Sequence, residues 1–280
     1  MLRSDHIAYT RTGTGPPMLL VHGLPATHTL WEPLIPKLAQ HRTVYAIDLP
    51  GFGNSDAPSD EPLAITQLIA QLIGFTESLG FEEFDLVGHS FGGGVAATLA
   101  ATIPDRVRSL VLITPLSLEP PPLVHAMKKS LVRGFVATSW RTAPKFVRRT
   151  GIRVLTRFNY GSAYIASRAQ QISNELDRND VVRSSCCLLD GFDFAAYRQR
   201  LDSLENARQV PILAIGGQRD RVIPYKHFRE LCDVLTCAEH ESFDDGVHVL
   251  MWQYPENVAH RIVNFVEHNR TVALERLLHG

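Results

Sequence analysis

Asp85-Leu86-Val87-Gly88-His89-Ser90-Phe91-Gly92-Gly93-Gly94, or DLVGHSFGGG, ends an apolar run on a serine and rings that serine with glycine. One reading makes it a glycine-rich turn that happens to hold a serine. A sharper reading follows from sterics. Gly88-His89-Ser90-Phe91-Gly92 satisfies G-x-S-x-G, between a strand-like run at 84–87 and a helix-like run at 95–103. A strand that turns abruptly into a helix holds the hydroxyl up for attack, and such a strained turn closes only with small neighbours.

The flanking sequence supports the strand. Runs at 18–21, 43–47, 84–87, 110–113 and 212–215 are apolar without polar alternation, as expected for parallel strands buried on both faces. Ile65, Leu68, Ile69, Leu72, Phe75, Thr76 and Leu79 fall near a 3.6-residue period, which predicts a helix that Gly80 stops. Alternating strands and helices predict an α/β fold, a parallel sheet covered on both sides. The rhythm breaks after Ile113. From 117 to 205 no strand is evident; the segment opens with Pro120-Pro121-Pro122 and then reads as helices. The strand rhythm returns at Val210-Pro211-Ile212-Leu213-Ala214-Ile215-Gly216. The chain is therefore expected to be one core domain, 1–116 plus 206–280, interrupted by a helical cap at 117–205. Two consecutive domains fit poorly, because 206–280 alone would make a marginal core.

The bulk numbers exclude several classes. The chain has 280 residues, 45% of them hydrophobic, with a net charge of −1. That is enough to bury a large core and offers no general field for nucleic acid. Met1-Leu2-Arg3-Ser4-Asp5-His6 lacks the apolar core of a signal peptide, and no run of about 18 apolar residues occurs. A soluble, cytoplasmic protein is expected. Four cysteines, two of them adjacent (Cys186, Cys187), make no disulfide framework, and no CxxC or HExxH spacing points to a metal. Gly13-Thr14-Gly15 and Gly51-Phe52-Gly53 lack a third glycine and read as turns rather than dinucleotide sites.

A serine hydroxyl is a poor nucleophile at neutral pH and needs a base in contact and a group to orient that base. His248 follows the run at 239–243 and precedes a helix opening at Pro255-Glu256-Asn257, so it sits beyond a strand's carboxyl end, where open α/β sheets collect their sites. His89 is a weaker base, because its side chain should leave the elbow in another direction. Asp220, beyond the carboxyl end of the run at 212–215, is the expected orienting acid. Asp244 and Asp245 are rivals that would need an unusual loop to reach the far ring nitrogen. A developing oxyanion needs backbone donors. Phe91 N–H offers one, and Leu24 N–H, in Leu19-Leu20-Val21-His22-Gly23-Leu24-Pro25, offers the other.

These pieces together resemble the α/β-hydrolase-fold serine hydrolases, nearly end to end. The likeness is carried by Val21-His22-Gly23-Leu24-Pro25, by Asp48-Leu49-Pro50-Gly51-Phe52-Gly53-Asn54-Ser55-Asp56, by the elbow, by Gly216, Asp220 and Pro224, and by His248 with Pro255-Glu256. The order Ser90, Asp220, His248 is the family order. The resemblance implies a mostly parallel eight-stranded sheet with helices on both faces, an inserted helical cap, and no metal or organic cofactor. Esterases of the cofactor-free haloperoxidase-like branch are the nearer likeness. Val247 and Gln253 stand where the family often has glycine and glutamate. Val249 stands where carbon–carbon bond hydrolases often have tryptophan. Ser90 argues against the branches with an aspartate nucleophile.

Between 117 and 170 there are ten Lys or Arg and one acidic residue, Glu119. Arg141, Lys145, Arg149, Arg153 and Arg157 recur every four residues, a basic helix stripe or simply a solvated face. The expected activity is hydrolysis of a carboxylic ester through an acyl-enzyme, on a small-molecule ester or acyl substrate. The rival activities are those of an acyltransferase or cyclase, a thioesterase acting on a carrier- or CoA-bound acyl group, a carbon–carbon bond hydrolase, and a non-catalytic ligand receptor. The basic stripe would suit an anionic substrate, an acyl carrier or a membrane surface.

Overall fold

Every apolar run singled out in the sequence becomes a strand of one sheet. The structure, a computed structural model, describes residues 1–4, 6–57, 62–120, 181–207 and 209–279, with single positions 139, 143, 144, 147 and 150. The strands are β1 (Leu2–Ser4), β2 (Ile7–Thr12), β3 (Pro17–Val21), β4 (Thr43–Ile47), β5 (Phe84–His89), β6 (Val107–Ile113), β7 (Ile212–Gly217) and β8 (Glu239–Phe243). Their order is β1-β2-β4-β3-β5-β6-β7-β8. From β4 across to β8 all pairings are parallel, while β1–β2 and β2–β4 are antiparallel.

Burial explains the patterns. Every residue of β4, β5 and β7 is buried, as continuous apolar runs require. β8 is an edge strand of sequence Glu-His-Glu-Ser-Phe, and none of its residues is fully buried. The antiparallel pair β1–β2 was not singled out in the sequence. Only Ile7, Ala8 and Tyr9 of β2 are buried, and its second half is polar and open to solvent, so it carries too little apolar signal.

The described helices are α1 (Ile35–Leu38), α2 (Ile65–Ser78), α3 (Phe91–Thr102), α4 (Val181–Asp190), α5 (Phe194–Ala207), α6 (Tyr225–Val234), α7 (Leu250–Gln253) and α8 (Pro255–His279). α2 buries the predicted stripe and is followed by Gly80 at φ +69, the left-handed stop expected of it. α3 departs from expectation. It starts at Phe91 rather than near 95, so Gly92, Gly93 and Gly94 form its first turn. Glycine costs a helix up to about 1 kcal/mol relative to alanine, which argued for a turn; tight packing overrides that cost here.

The stretch 117–205 is described in part. α4 lies within it, and α5 begins within it and runs past position 205 while packing on α3, with Phe194, Tyr197, Leu201 and Leu204 in the main core. The basic recurrence Arg141, Lys145, Arg149, Arg153, Arg157 lies outside the described residues. At the amino ends of the central strands, the fully buried Arg42 donates from Nε to Asp85 Oδ2 at 2.6 Å and pairs through Nη1 with Glu267 of α8. Ser109 Oγ donates to Asp85 Oδ1 at 2.7 Å, so the Arg42–Asp85 pair joins β5, β6, the residue before β4 and the last helix. Among the described residues no helix is long and apolar enough to cross a membrane.

Candidate active site

Sheet register brings the site together. His89 pairs with Ile113 of β6, and Ile113 with Ile215 of β7. The residues just past these positions, Ser90, Thr114 and Gly216, therefore emerge side by side at the carboxyl edge. Ser90 has φ +53 and ψ −121, a strained backbone for a residue with a Cβ, and it heads α3 directly. Its N–H donates to Ile113 O (3.1 Å), and its carbonyl accepts from Gly93 N–H and Leu116 N–H. The turn needs its glycines for space. A Cβ on Gly88 would lie 2.4 Å from Gly92 O and 2.7 Å from Ala96 Cβ; one on Gly92 would lie 2.2 Å from Val21 O. Gly94 faces Leu116 and Phe192, just beyond α4, where a Cβ would lie 3.0 Å from the Phe192 ring and 3.1 Å from Leu116.

His248 and Asp220 meet. His248 Nδ1 and Asp220 Oδ2 are 2.7 Å apart, and both side chains are sealed from solvent. Asp220 Oδ1 accepts from the N–H groups of Val222 (2.8 Å) and Ile223 (2.9 Å), so the loop after β7 aims its free oxygen at the imidazole. The rival carboxylates are engaged elsewhere. Gln218 Nε2 donates to Asp244 Oδ1 at 2.8 Å, and Tyr254 OH donates to Asp245 Oδ1. Ser90 Oγ makes no hydrogen bond among the described residues; nucleophile–base contacts are often long before substrate binds.

The loop ahead of His248 is shaped by Gln253. Its Oε1 accepts from Val247 N–H (2.8 Å) and its Nε2 donates to Asp245 O (3.0 Å). A glutamate at that position could accept but not donate, so the amide clamps both sides of the turn. His89 goes beneath His248: its Nε2 lies 3.0 Å from His248 O, and the two rings are 4.8 Å apart.

The loop after β3 presses on the elbow. A Cβ on Gly23 would lie 2.7 Å from Ser90 Cβ and 2.9 Å from His89 Nδ1. Neither Leu24 N–H nor Phe91 N–H has an acceptor among the described residues; Phe91 opens α3, whose first N–H groups have no partner within the helix, and Leu24 follows Gly23, which presses on Ser90. His22 holds this loop. Its Nδ1 donates to Gly23 O (2.7 Å) and its Nε2 accepts from Leu49 N–H (2.9 Å), so the ring must be neutral to serve both. Burial agrees, pushing the His22 pKa down to about 4 against the opposing pull of Asp48. Asp48 is fully buried and accepts from His28 N–H and Nδ1 (each 2.8 Å) and from Asn54 N–H (2.9 Å). Burial raises its carboxyl, but the bonds and charge of His28 outweigh that and leave it below the usual range. The segment from Asp48 to Asp56 thus braces the loop after β3. Sequence reading missed His22, Asp48 and Gln253 as supports. Their signal was only their place within recognisable motifs.

Residues 16–255 match the family described as alpha/beta hydrolase fold. A 2-hydroxymuconate semialdehyde hydrolase of Pseudomonas sp. (strain CF600) is 30% identical over 258 residues, covering 89% of this chain and 84% of that protein. A pimeloyl-[acyl-carrier protein] methyl ester esterase of Xylella fastidiosa (strain M23) is 29% identical over 216 residues, covering 76% and 79%. The abhydrolase domain-containing protein abhd-5.2 of Caenorhabditis elegans is 29% identical over 260 residues, 83% of this chain, and this chain spans 54% of its length. The crystal structure of the enol-lactonase from Burkholderia xenovorans LB400 superposes with a TM-score of 0.76 at 22% identity over 93% of this chain and 96% of that one, a likeness of fold. With the family description matching residue 16 through residue 255, over a mostly parallel eight-stranded sheet, the chain belongs to the alpha/beta hydrolase fold family.

Proposed function

We propose that the protein is a serine hydrolase that cleaves a carboxylic ester through an acyl-enzyme. The observation that carries this reading is the strained backbone of Ser90 at the head of α3, beside the buried His248–Asp220 pair. In the reaction His248 Nε2 takes the Ser90 proton as Oγ bonds to the ester carbonyl carbon. The carbonyl electrons move to oxygen, where Phe91 N–H and Leu24 N–H stabilise the charge. Collapse breaks the bond to the alkoxy group, which leaves as the alcohol with the proton from His248. Water then repeats the sequence: it gives a proton to His248, attacks the acyl carbon and releases Ser90 and the acid. Asp220 keeps the His248 Nδ1 proton in place and balances the imidazolium.

A second reading is carbon–carbon bond hydrolysis, favoured by the 30% identity to the semialdehyde hydrolase. Val249 after His248 and the methyl ester esterase relative favour the ester. Acyl transfer would use the same steps with an alcohol or amine in place of water, whereas a non-catalytic receptor would have no use for a strained serine. Ser90→Ala should lower p-nitrophenyl ester hydrolysis by about three orders of magnitude or more and abolish labelling by a fluorophosphonate. Activity within tenfold of the parent would sink the assignment. Faster cleavage of vinylogous diketones than of any ester would select the second reading.

The cap at 117–205 and its basic recurrence belong to the same proposal, as the part that receives an anionic acyl group, a carrier or a lipid surface. Lys145, Arg149 and Arg153 changed together to Glu should lower kcat/KM for an anionic ester and spare a neutral one, with the gap closing above about 0.1 M salt. Equal rates on both esters at low salt would reduce the stripe to a solvated face.

A further inference from the structure

We propose that His89 is a positioning residue for His248, acting through the backbone carbonyl rather than the imidazole. The proposal rests on the reading of Ser90 and His248 given above. His89 is 3% exposed. A carbonyl only accepts, so the contact from His89 Nε2 to His248 O at 3.0 Å places the ring proton on Nε2 and leaves Nδ1 bare. Among the described residues, His89 Nδ1 is a buried polar atom with no hydrogen-bond partner, and Gly23 lies close beside it. A buried acceptor left unpaired is costly. A phenylalanine would fill the same space against Trp31 and His248 without that cost, so the donor at Nε2 is the feature that a histidine adds.

The same carbonyl takes a second bond. Thr114 Oγ1 donates to His248 O at 2.9 Å. Thr114 itself sits at φ +39, in the left-handed region that β-branched residues avoid, with its N–H bonded to Ile215 O at 2.7 Å. That strained backbone sits on a residue whose hydroxyl engages His248. Three adjacent strand ends therefore converge on one residue. β5, through His89, and β6, through Thr114, hold the His248 carbonyl; the loop after β7, through Asp220, holds its ring. Because His89 directly precedes Ser90, its bond fixes the distance between elbow and base within one rigid unit. Loss of one buried hydrogen bond of this kind corresponds to about 10–100-fold in rate.

The test is steady-state kinetics and fluorophosphonate inactivation on His89→Phe, His89→Gln and Thr114→Val, with Ser90→Ala alongside. His89→Phe should lower kcat and the inactivation rate by about 10–100-fold while KM stays within about threefold, because ground-state binding is untouched. His89→Gln, which can donate from its amide, should recover most of the loss. Thr114→Val, nearly isosteric, should show a smaller loss of the same kind. The double variant His89→Phe with Thr114→Val should depart from additivity, since both donors serve one carbonyl. A folded His89→Phe that keeps parental kcat overturns the proposal, as does a kcat loss that Gln does not recover. If His89→Phe does not fold, Thr114→Val carries the test, and an unchanged kcat there overturns it. An active Ser90→Ala instead overturns the nucleophile assignment, which separates the two failures.

Discussion

His248 Nδ1 lies 2.7 Å from Asp220 Oδ2 across 28 residues of sequence, with neither side chain open to solvent. The carboxylate is held by two backbone N–H groups on its other oxygen. It therefore has one oxygen left to offer, and the offer fixes which imidazole nitrogen carries the proton.

That relationship sets the first prediction. Asp220→Asn should lower kcat by about three to four orders of magnitude, because an amide in that place favours the wrong tautomer and cannot balance the imidazolium. Asp244→Asn and Asp245→Asn should each cost less than about tenfold, since their carboxylates bond Gln218 and Tyr254 rather than His248. Steady-state kinetics on the three variants decides it, and equal losses would move the acid to the rival loop.

Gln253 offers a second test. Gln253→Leu leaves Val247 N–H and Asp245 O without their partner, and the turn before His248 should loosen. We expect kcat to fall by roughly tenfold, the scale of about 1.4 kcal/mol. Gln253→Glu keeps the acceptor for Val247 N–H and should recover to within about threefold of the parent. A Gln253→Leu enzyme as fast as the parent would show that the clamp is irrelevant to the base.

The third prediction concerns pH and stability. His22 has a pKa of about 4 in the folded chain against 6.5 ordinarily, because it is buried neutral. Below pH 6.5 the unfolded chain binds this proton and the folded chain does not, so acidification favours unfolding. The contribution of His22 is whole above pH 6.5 and is lost as pH falls toward 4. At about 1.4 kcal/mol per pKa unit, the loss is on the order of 3 kcal/mol. Urea denaturation at pH 7 and pH 4.5 should show a steeper decline for the parent than for His22→Gln, even though the variant starts less stable. Parallel declines would contradict the assignment of His22 as a buried neutral ring.

Much of this molecule is legible in its sequence, for a local reason. Unbroken apolar runs mark β3 to β7 because strands buried on both faces tolerate little else. The helix at 65–78 shows its 3.6-residue stripe, and the elbow shows its glycines because a serine at positive φ needs space on every side. The pair β1–β2 escaped because half of β2 faces water. α3 began early because close packing outweighed the helix penalty of three glycines.

Local pattern alone was enough to mark the buried strands β3 to β7, their order relative to the serine, and a short set of acids and bases beyond the strand ends. It put Asp220 ahead of Asp244 and Asp245 as partner of His248, but it assigned no work to Thr114 or Gln253 and weighed His89 only as a weaker base. Those pairings span 28 residues from Asp220 to His248, 134 from Thr114, and 159 from His89. Hydrophobic period records which face of an element is buried. Which carbonyl a buried donor meets depends on strand register and loop path, and only the packed sheet, with β5, β6 and β7 in register, sets both.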